Sequence, residues 1–223
     1  MQLQCGFCWT DLWKKTKYGE PSTAGTTVAC AIIESYRIFI ANVGDSTVVL
    51  GKSNLNDREP KILAEIITRD HKPGDEEERR RIEALGGSVL NMRVVWERKM
   101  VVTTSMTEVY QVHQIPFHNV ARRLGDLWSV TENNEYLVSP IPDIYVHYFD
   151  WTKDKFLILA SDGLWNMLNP QTAVNIVHSL CKDGIKNAAE AGKVASALVD
   201  KALYEWDKRN LTADNISVLI VFF

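Results

Sequence analysis

Residues 26–67 constrain the fold most: short apolar, β-branched runs alternate there with turns and a polar loop, and no helical period appears. The runs are 26–33, 37–43, 47–50 and 62–67. Glu34-Ser35, Gly44-Asp45-Ser46 and a polar loop over 51–61 separate them. A parallel neighbour needs a crossover of about a dozen residues or more, so these connections predict antiparallel strands. Gly44-Asp45-Ser46 reads as a hairpin turn with a permissive glycine. The alternative is that Asp45 adds a carboxylate to a functional edge.

The remainder mixes helices with strands. Pro73-Gly74-Asp75 opens a predicted helix over 76–85, closed by Gly86-Gly87. Glu76–Arg80 and Glu77–Arg81 stand at i,i+4 spacing, and only Ile82 and Leu85 form an apolar stripe. That predicts a surface helix, with Arg79-Arg80-Arg81 balanced by Glu76, Glu77 and Glu78 on a solvated face. Residues 89–112 show no clear period, and 117–124 predict a short helix. Residues 144–148 and 156–160 read as strands. Asn169-Pro170 starts a helix to about Cys181, with proline at its first position. Asn187 and Glu190 resemble a capping box. The helix after them lines up Val194, Leu198, Ala202 and Trp206, joined by Ala195, Val199 and Leu203. Residues 215–223 form a closing strand. The fold class expected is α+β: mainly antiparallel sheets with two long helices on a face.

Composition narrows the function. With 223 residues, 46% hydrophobic and 24% charged, the chain has enough apolar matter for a real core. A net charge of −3 provides no basic field for nucleic acid. No apolar stretch reaches the roughly 18 residues of a membrane span, and the first ten residues lack a basic, apolar signal. The cysteines are Cys5, Cys8, Cys30 and Cys181. Their scarcity fits a reducing interior, nuclear or cytoplasmic. A monomer with no nucleic-acid or membrane partner is expected.

Two carboxylates stand where apolar runs end. Ser161-Asp162-Gly163-Leu164 follows the run 156–160, and Asp214 precedes the run 216–223. Oxygen ligands at strand ends suit a hard cation that still faces solvent, and Gly163 permits close backbone approach. The alternative for Asp162 is a turn or the cap of a short helix. For Asp214-Asn215 it is a turn before a strand. His71, in Asp70-His71-Lys72-Pro73, is either a structural hydrogen-bonder or a titrating group. Cys5-Gly6-Phe7-Cys8 offers a redox pair or half a zinc site, with no second ligand pair elsewhere.

In order, the chain carries Ser22-Thr23-Ala24-Gly25-Thr26-Thr27, Val43-Gly44-Asp45-Ser46, Asp70-His71-Lys72-Pro73 and an Arg-Ile-Glu-x-x-Gly-Gly ending at Gly87. It continues with Arg122-Arg123-Leu124-Gly125-Asp126, Val138-Ser139-Pro140-x-Pro142, Ser161-Asp162-Gly163-Leu164-Trp165 and Asp214-Asn215. This set resembles the metal-dependent serine/threonine protein phosphatases of type 2C. The resemblance implies a two-sheet antiparallel β-sandwich flanked by helices. It implies hydrolysis of phosphoserine and phosphothreonine in phosphoprotein substrates with two Mg²⁺ or Mn²⁺ ions. By motif, Asp162 and Asp214 ligate metal and Asp45 matches a third-metal acid. Asn166 stands where the family often has an acid. Arg93, Arg98 and Lys99 are candidates to meet phosphate or an acidic peptide. The family's Asp-Gly-His-Gly motif, whose aspartate bridges both metals, has no counterpart here. Residues 1–21 are therefore expected to be a leader with the remnant of a helix, before a domain over 22–223 that lacks its first portion. The alternative is a phosphatase-like binding module without turnover.

Overall fold

The computed structural model describes residues 22–54, 61–90, 93–95, 97–104, 107–114, 119–131, 133–181 and 184–223; for residues 93, 95, 97–104 and 107–114 it describes the backbone alone. The expected leader and the Cys5–Cys8 pair lie outside these. In chain order the strands are β1 (Gly25–Thr26), β2 (Val28–Ile33), β3 (Arg37–Val43), β4 (Thr47–Asn54), β5 (Lys61–Ile66), β6 (Ser88–Leu90), β7 (Arg93–Val95), β8 (Glu97–Thr104), β9 (Thr107–Gln114), β10 (Leu124–Gly125), β11 (Asp143–Tyr148), β12 (Asp154–Ala160) and β13 (Val218–Phe222). The helices are α1 (Glu76–Ala84), α2 (Asp162–Trp165), α3 (Pro170–Leu180) and α4 (Ala188–Lys208). The chain forms two compact units, one of residues 27–70 with 142–223, the other of residues 22–26 with 71–141.

In the first unit one sheet runs β11-β3-β2 and another runs β13-β12-β4-β5, every neighbouring pair antiparallel. Ile38 and Ile40 of β3 meet Val48 and Leu50 of β4 and Leu157 and Leu159 of β12 in one buried cluster. The opposite faces of β4 and β12 carry Val49, Phe156, Ile158 and Ala160. These pack on Ala173, Val174 and Val177 of α3 and on Val194, Leu198 and Ala202 of α4. Strands covered on both sides read as continuous apolar runs, not alternation, which is why 156–160 has no polar gaps. The predicted stripe of α4 is the buried one as far as Ala202, while Leu203 is exposed. Asn187 caps α4 by accepting from the Glu190 amide at 3.0 Å, and Asn169 caps α3 by accepting from the Thr172 amide at 2.8 Å.

The Gly44-Asp45-Ser46 expectation needs correction. Its flanking strands β3 and β4 belong to different sheets, so the turn is not a hairpin. Gly44 sits at φ 105, a conformation that disfavours a side chain. Asn42 holds the turn, donating to the carbonyls of Gly44 (3.3 Å) and Arg69 (3.1 Å). Strand β5 is a sheet edge, and Gln171 of α3 occupies part of it. Its amide nitrogen donates to the Ile62 carbonyl at 2.8 Å, and its oxygen accepts from the Ala64 amide at 3.0 Å.

The second unit has its own core of Ile82, Val94, Ala121 and Leu137. Hairpins β6–β7 and β8–β9 account for most of the segment without a clear period, and β1 pairs with β10. The short helix expected over 117–124 is absent from its described part, where Leu124 belongs to β10. Asp75 caps α1 through the Glu77 amide at 3.1 Å. That helix is less superficial than expected. Glu78 is 1% exposed, and Arg122 donates to it through Nε at 2.7 Å and also through Nη2. Arg81 donates to Glu78 at 2.9 Å and to the carbonyls of Tyr136 (3.1 Å) and Ala121 (2.9 Å), so it is not on a solvated face. Burial alone pushes the Glu78 carboxyl up, but the guanidinium groups of Arg122 and Arg81 outweigh it and hold the carboxyl below its ordinary value. Among the described residues no helix is long and apolar enough to cross a membrane.

Candidate functional site

Strand register places the three candidate aspartates. Ala160, the last residue of β12, pairs with Thr47 on one side and Val218 on the other. Antiparallel pairing lays the exit of β12 beside the entries of β4 and β13. Just beyond the Thr47–Ala160–Val218 row, the chain carries Asp45, Asp162 and Asp214 at the same end of the sheet. The switch of sheets at Gly44 makes Asp45 part of this end. Asp45 is 6% exposed, Asp162 is half-buried and Asp214 is exposed.

The segments bearing Asp162 and Asp214 are joined by Ser161. Ser161 is the N-cap residue of α2 but makes no side-chain capping bond. Its hydroxyl donates to the Asn215 carbonyl at 3.0 Å and accepts from the Ser217 amide at 3.0 Å, while its own amide donates to the Ser217 carbonyl at 3.1 Å. Gly163 completes the approach, because a Cβ there would overlap the Asn215 carbonyl oxygen. Trp206 of α4 donates to the Gly163 carbonyl at 2.9 Å, and Trp165 donates to the carbonyls of Thr47 (3.1 Å) and Ala160 (3.0 Å). Asn166 reaches Asp162 at 3.4 Å, and Asp214 accepts from the Asn215 amide at 2.7 Å. Asp162 is thus the first residue of α2, not its cap, and it points from a short helix pinned at several places.

Sequence reasoning missed the roles of Ser161, Trp165 and Trp206. Serine before a helical aspartate signals a local cap, and nothing local signals a bond to Asn215 or Ser217. Arg93 opens β7, and Arg98 and Lys99 lie on β8, in the other compact unit and with side chains outside the described residues. His71 is fully buried in that unit, as a structural histidine would be, and its carbonyl accepts from the Ala121 amide at 2.8 Å.

Two carboxylates on adjoining segments, with carbonyl oxygens beside them, suit one hard divalent cation, since Mg²⁺ takes one or two carboxylates and completes its shell with water and phosphate. Two such ions bring +4, which a pair of aspartates does not balance. Among the described residues no group of three or more His, Cys, Asp and Glu side chains is arranged to hold a metal. The described residues therefore do not compose a two-ion centre, and Asp162 and Asp214 are the donors at this sheet end whose chemistry suits a hard cation.

A family model described as Protein phosphatase 2C matches residues 6–211. A probable protein phosphatase 2C 73 of Arabidopsis thaliana is 30% identical over 207 residues, covering 89% of this chain and 48% of its own length. A probable protein phosphatase 2C 6 of Paramecium tetraurelia is 28% identical over 208 residues, covering 92% of this chain and 59% of its own. Among solved structures, a serine-threonine phosphatase 2C from Toxoplasma gondii superposes with a TM-score of 0.65 at 26% identity, over 88% of this chain and 58% of that one. A sex determining protein of C. elegans gives 0.58 at 25%, over 90% of this chain and 40% of that one. The chain spans about half the length of the curated relatives it matches.

Proposed function

The chain belongs to the protein phosphatase 2C family, and from that premise we propose that it hydrolyses phosphoserine and phosphothreonine in phosphoproteins. The observation carrying this reading is the row Thr47–Ala160–Val218, which hangs Asp45, Asp162 and Asp214 from one sheet end. Asp162 and Asp214 are the residues proposed to hold Mg²⁺ or Mn²⁺, with the Gly163 backbone beside them and Asp45 assigned to a further cation. A cation there supplies charge neutralisation at the phosphoryl oxygens and a more acidic attacking water. The chain's own part is to hold the two acids in place through Ser161, and to orient Asp162 through Asn166 and the pinned α2. Arg93, Arg98 and Lys99 are proposed to meet phosphate or acidic peptide. Residues 22–223 are taken as one phosphatase-type domain. Free Cys30 and Cys181 accord with a nuclear or cytoplasmic location, and a monomer is proposed. Within the family, Arg93-Val94-Val95-Trp96, Gly125-Asp126-Leu127-Trp128 and Gly163-Leu164-Trp165-Asn166-Met167 resemble protein phosphatase 1D, the p53-induced phosphatase, and that branch is the finer assignment.

A second reading has a specific basis. The sequence holds no Asp-Gly-His, and the described residues group no third metal-binding side chain with the pair. It describes a module that binds phosphoproteins without turnover. One assay separates the two. Release of phosphate from a phosphothreonine peptide that requires Mn²⁺ and disappears in Asp162→Asn supports hydrolysis. Retained peptide binding with no phosphate released at any Mn²⁺ concentration supports the binding module.

A further inference from the structure

Helix α2 is a single turn, too short to hold its own direction in water. Its surroundings therefore decide where Asp162 points. Most carbonyls of the turn find amides close in sequence. That of Ser161 accepts from the Leu164 and Trp165 amides, and that of Asp162 from the Asn166 amide at 2.8 Å. That of Leu164 accepts from the Met167 and Leu168 amides at 3.0 and 2.9 Å. An α-helix carried further would give the Met167 amide to Gly163. Here that amide goes to Leu164, so the Gly163 carbonyl is left over at the end of the turn. Its donor comes from α4: the Trp206 indole N–H, at 2.9 Å.

The place of Trp206 in the sequence explains its reach. It continues the stripe Val194, Leu198, Ala202, whose members are buried in the core. At the fourth position the stripe passes beyond that core, and Trp206 is only half-buried. An aliphatic residue there would prolong the apolar stripe and bring no donor. The backbone under the indole is fixed, because α4 runs on to Lys208 and the Trp206 carbonyl accepts from the Leu211 amide at 3.1 Å. The other side of the same glycine is closed by the Asn215 carbonyl, which a Cβ would overlap. The turn is thus gripped through Gly163 from two directions, by α4 and by the segment that carries Asp214.

We infer that Trp206 is a positioning residue for the cation site, fixing the rotation of α2 and with it the carboxylate of Asp162. The inference rests on the reading that Asp162 and Asp214 hold the cation. Side chains stand roughly 5 Å from a helix axis, so a rotation of about 10° carries the Asp162 oxygens about 0.9 Å. Cation–ligand distances are held within about 0.2 Å. A hydrogen bond that stops this rotation therefore acts on affinity, as bonds just outside the ligands of a metal commonly do.

The test is Mn²⁺ binding to the full chain, read from the electron paramagnetic resonance signal of free Mn²⁺, with urea unfolding of each variant alongside. Trp206→Phe keeps an aromatic ring and removes the donor; about tenfold weaker binding is expected. Val194→Ala lies on the same stripe, roughly 18 Å away along the axis. It loosens α4 and is expected to leave the affinity within about twofold, since distant sites act independently. A second measurement uses the unaltered chain labelled with ¹⁵N-tryptophan, in which Mg²⁺ is expected to shift the Trp206 indole N–H resonance. Wild-type affinity in Trp206→Phe, equal weakening in Val194→Ala, or indole resonances that all stay in place overturn the positioning role. Wild type that takes up no Mn²⁺ overturns the cation site and the role of Trp206 together. Weakened binding in Trp206→Phe, in a chain whose wild type releases no phosphate, supports the positioning role and counts against hydrolysis.

Discussion

Glu78 is enclosed by protein and answers to two guanidinium groups, Arg122 and Arg81. Removing one side of such a set leaves charge buried without its partner, a change that destabilises by about 3–5 kcal/mol. Glu78→Gln keeps the shape and some hydrogen bonding, so about 3 kcal/mol is the loss expected in urea unfolding at neutral pH. The pH dependence has a definite sign. The folded carboxyl lies below its ordinary value, so its contribution is complete above the unfolded pKa of about 4.3. It is lost as pH falls through the depressed folded value. The gap between wild type and Glu78→Gln is therefore expected to close on acidification below about pH 4. A gap constant across that range would contradict the ion-pair account. The sequence disclosed little of this. Arg79-Arg80-Arg81 among glutamates reads as a balanced surface, and locally it is one, with Arg80 bonded to Glu76 and Arg79 to Glu83. Arg81 departs because Ala121 and Tyr136, remote in sequence, offer it carbonyls. Gly163 was read from the sequence as backbone approach at a cation; what lies against its Cα in the fold is the Asn215 carbonyl, a contact nothing local signalled.

Among the elements, β5 illustrates how an edge is kept from pairing with other chains. The side-chain amide of Gln171 presents a donor and an acceptor to Ile62 and Ala64, as a neighbouring strand would. Gln171→Ala is expected to destabilise by about 1–2 kcal/mol, since two partly buried backbone groups lose partners. It is also expected to raise light scattering on mild heating, because the edge becomes available for association. Unchanged unfolding and scattering would show that water replaces the glutamine at no cost. Strand boundaries such as Arg37–Val43 were legible from composition and turn chemistry. The sheet to which each strand belongs was not. Glycine followed by aspartate serves a hairpin and a sheet switch equally well, and only the burial of β4 on both faces distinguishes them.

At the scale of the molecule, each compact unit carries its own apolar cluster, Ile82 with Val94, Ala121 and Leu137 in one, and those built on β4 and β12 in the other. Ile82→Ala, at a fully buried site, is expected to remove about 2–4 kcal/mol from its unit. Hydrogen exchange should report it as faster exchange in α1 and around Ala121, with β4 and β12 retaining their protection. Uniform acceleration throughout the chain would mean that the units open together. The α+β class was accessible from the sequence, because apolar runs are local, and so was the place of Asp162 and Asp214 beside such runs; that β4, β12 and β13 share one sheet was not. The division into units was not, since it depends on which distant segments meet.

The pairing of Thr47 with Ala160 also has a consequence during synthesis. At about 5–20 residues per second, β4 leaves the ribosome roughly ten seconds before β12 exists to flank it. Throughout that interval β4 has only β5 beside it in the sheet; Ile38 and Ile40 of β3 can cover Val48 and Leu50, but no helix yet covers Val49. A nascent chain paused at that stage exposes a greasy two-stranded ribbon, which makes it a natural client for chaperones that shield such surfaces until translation is complete.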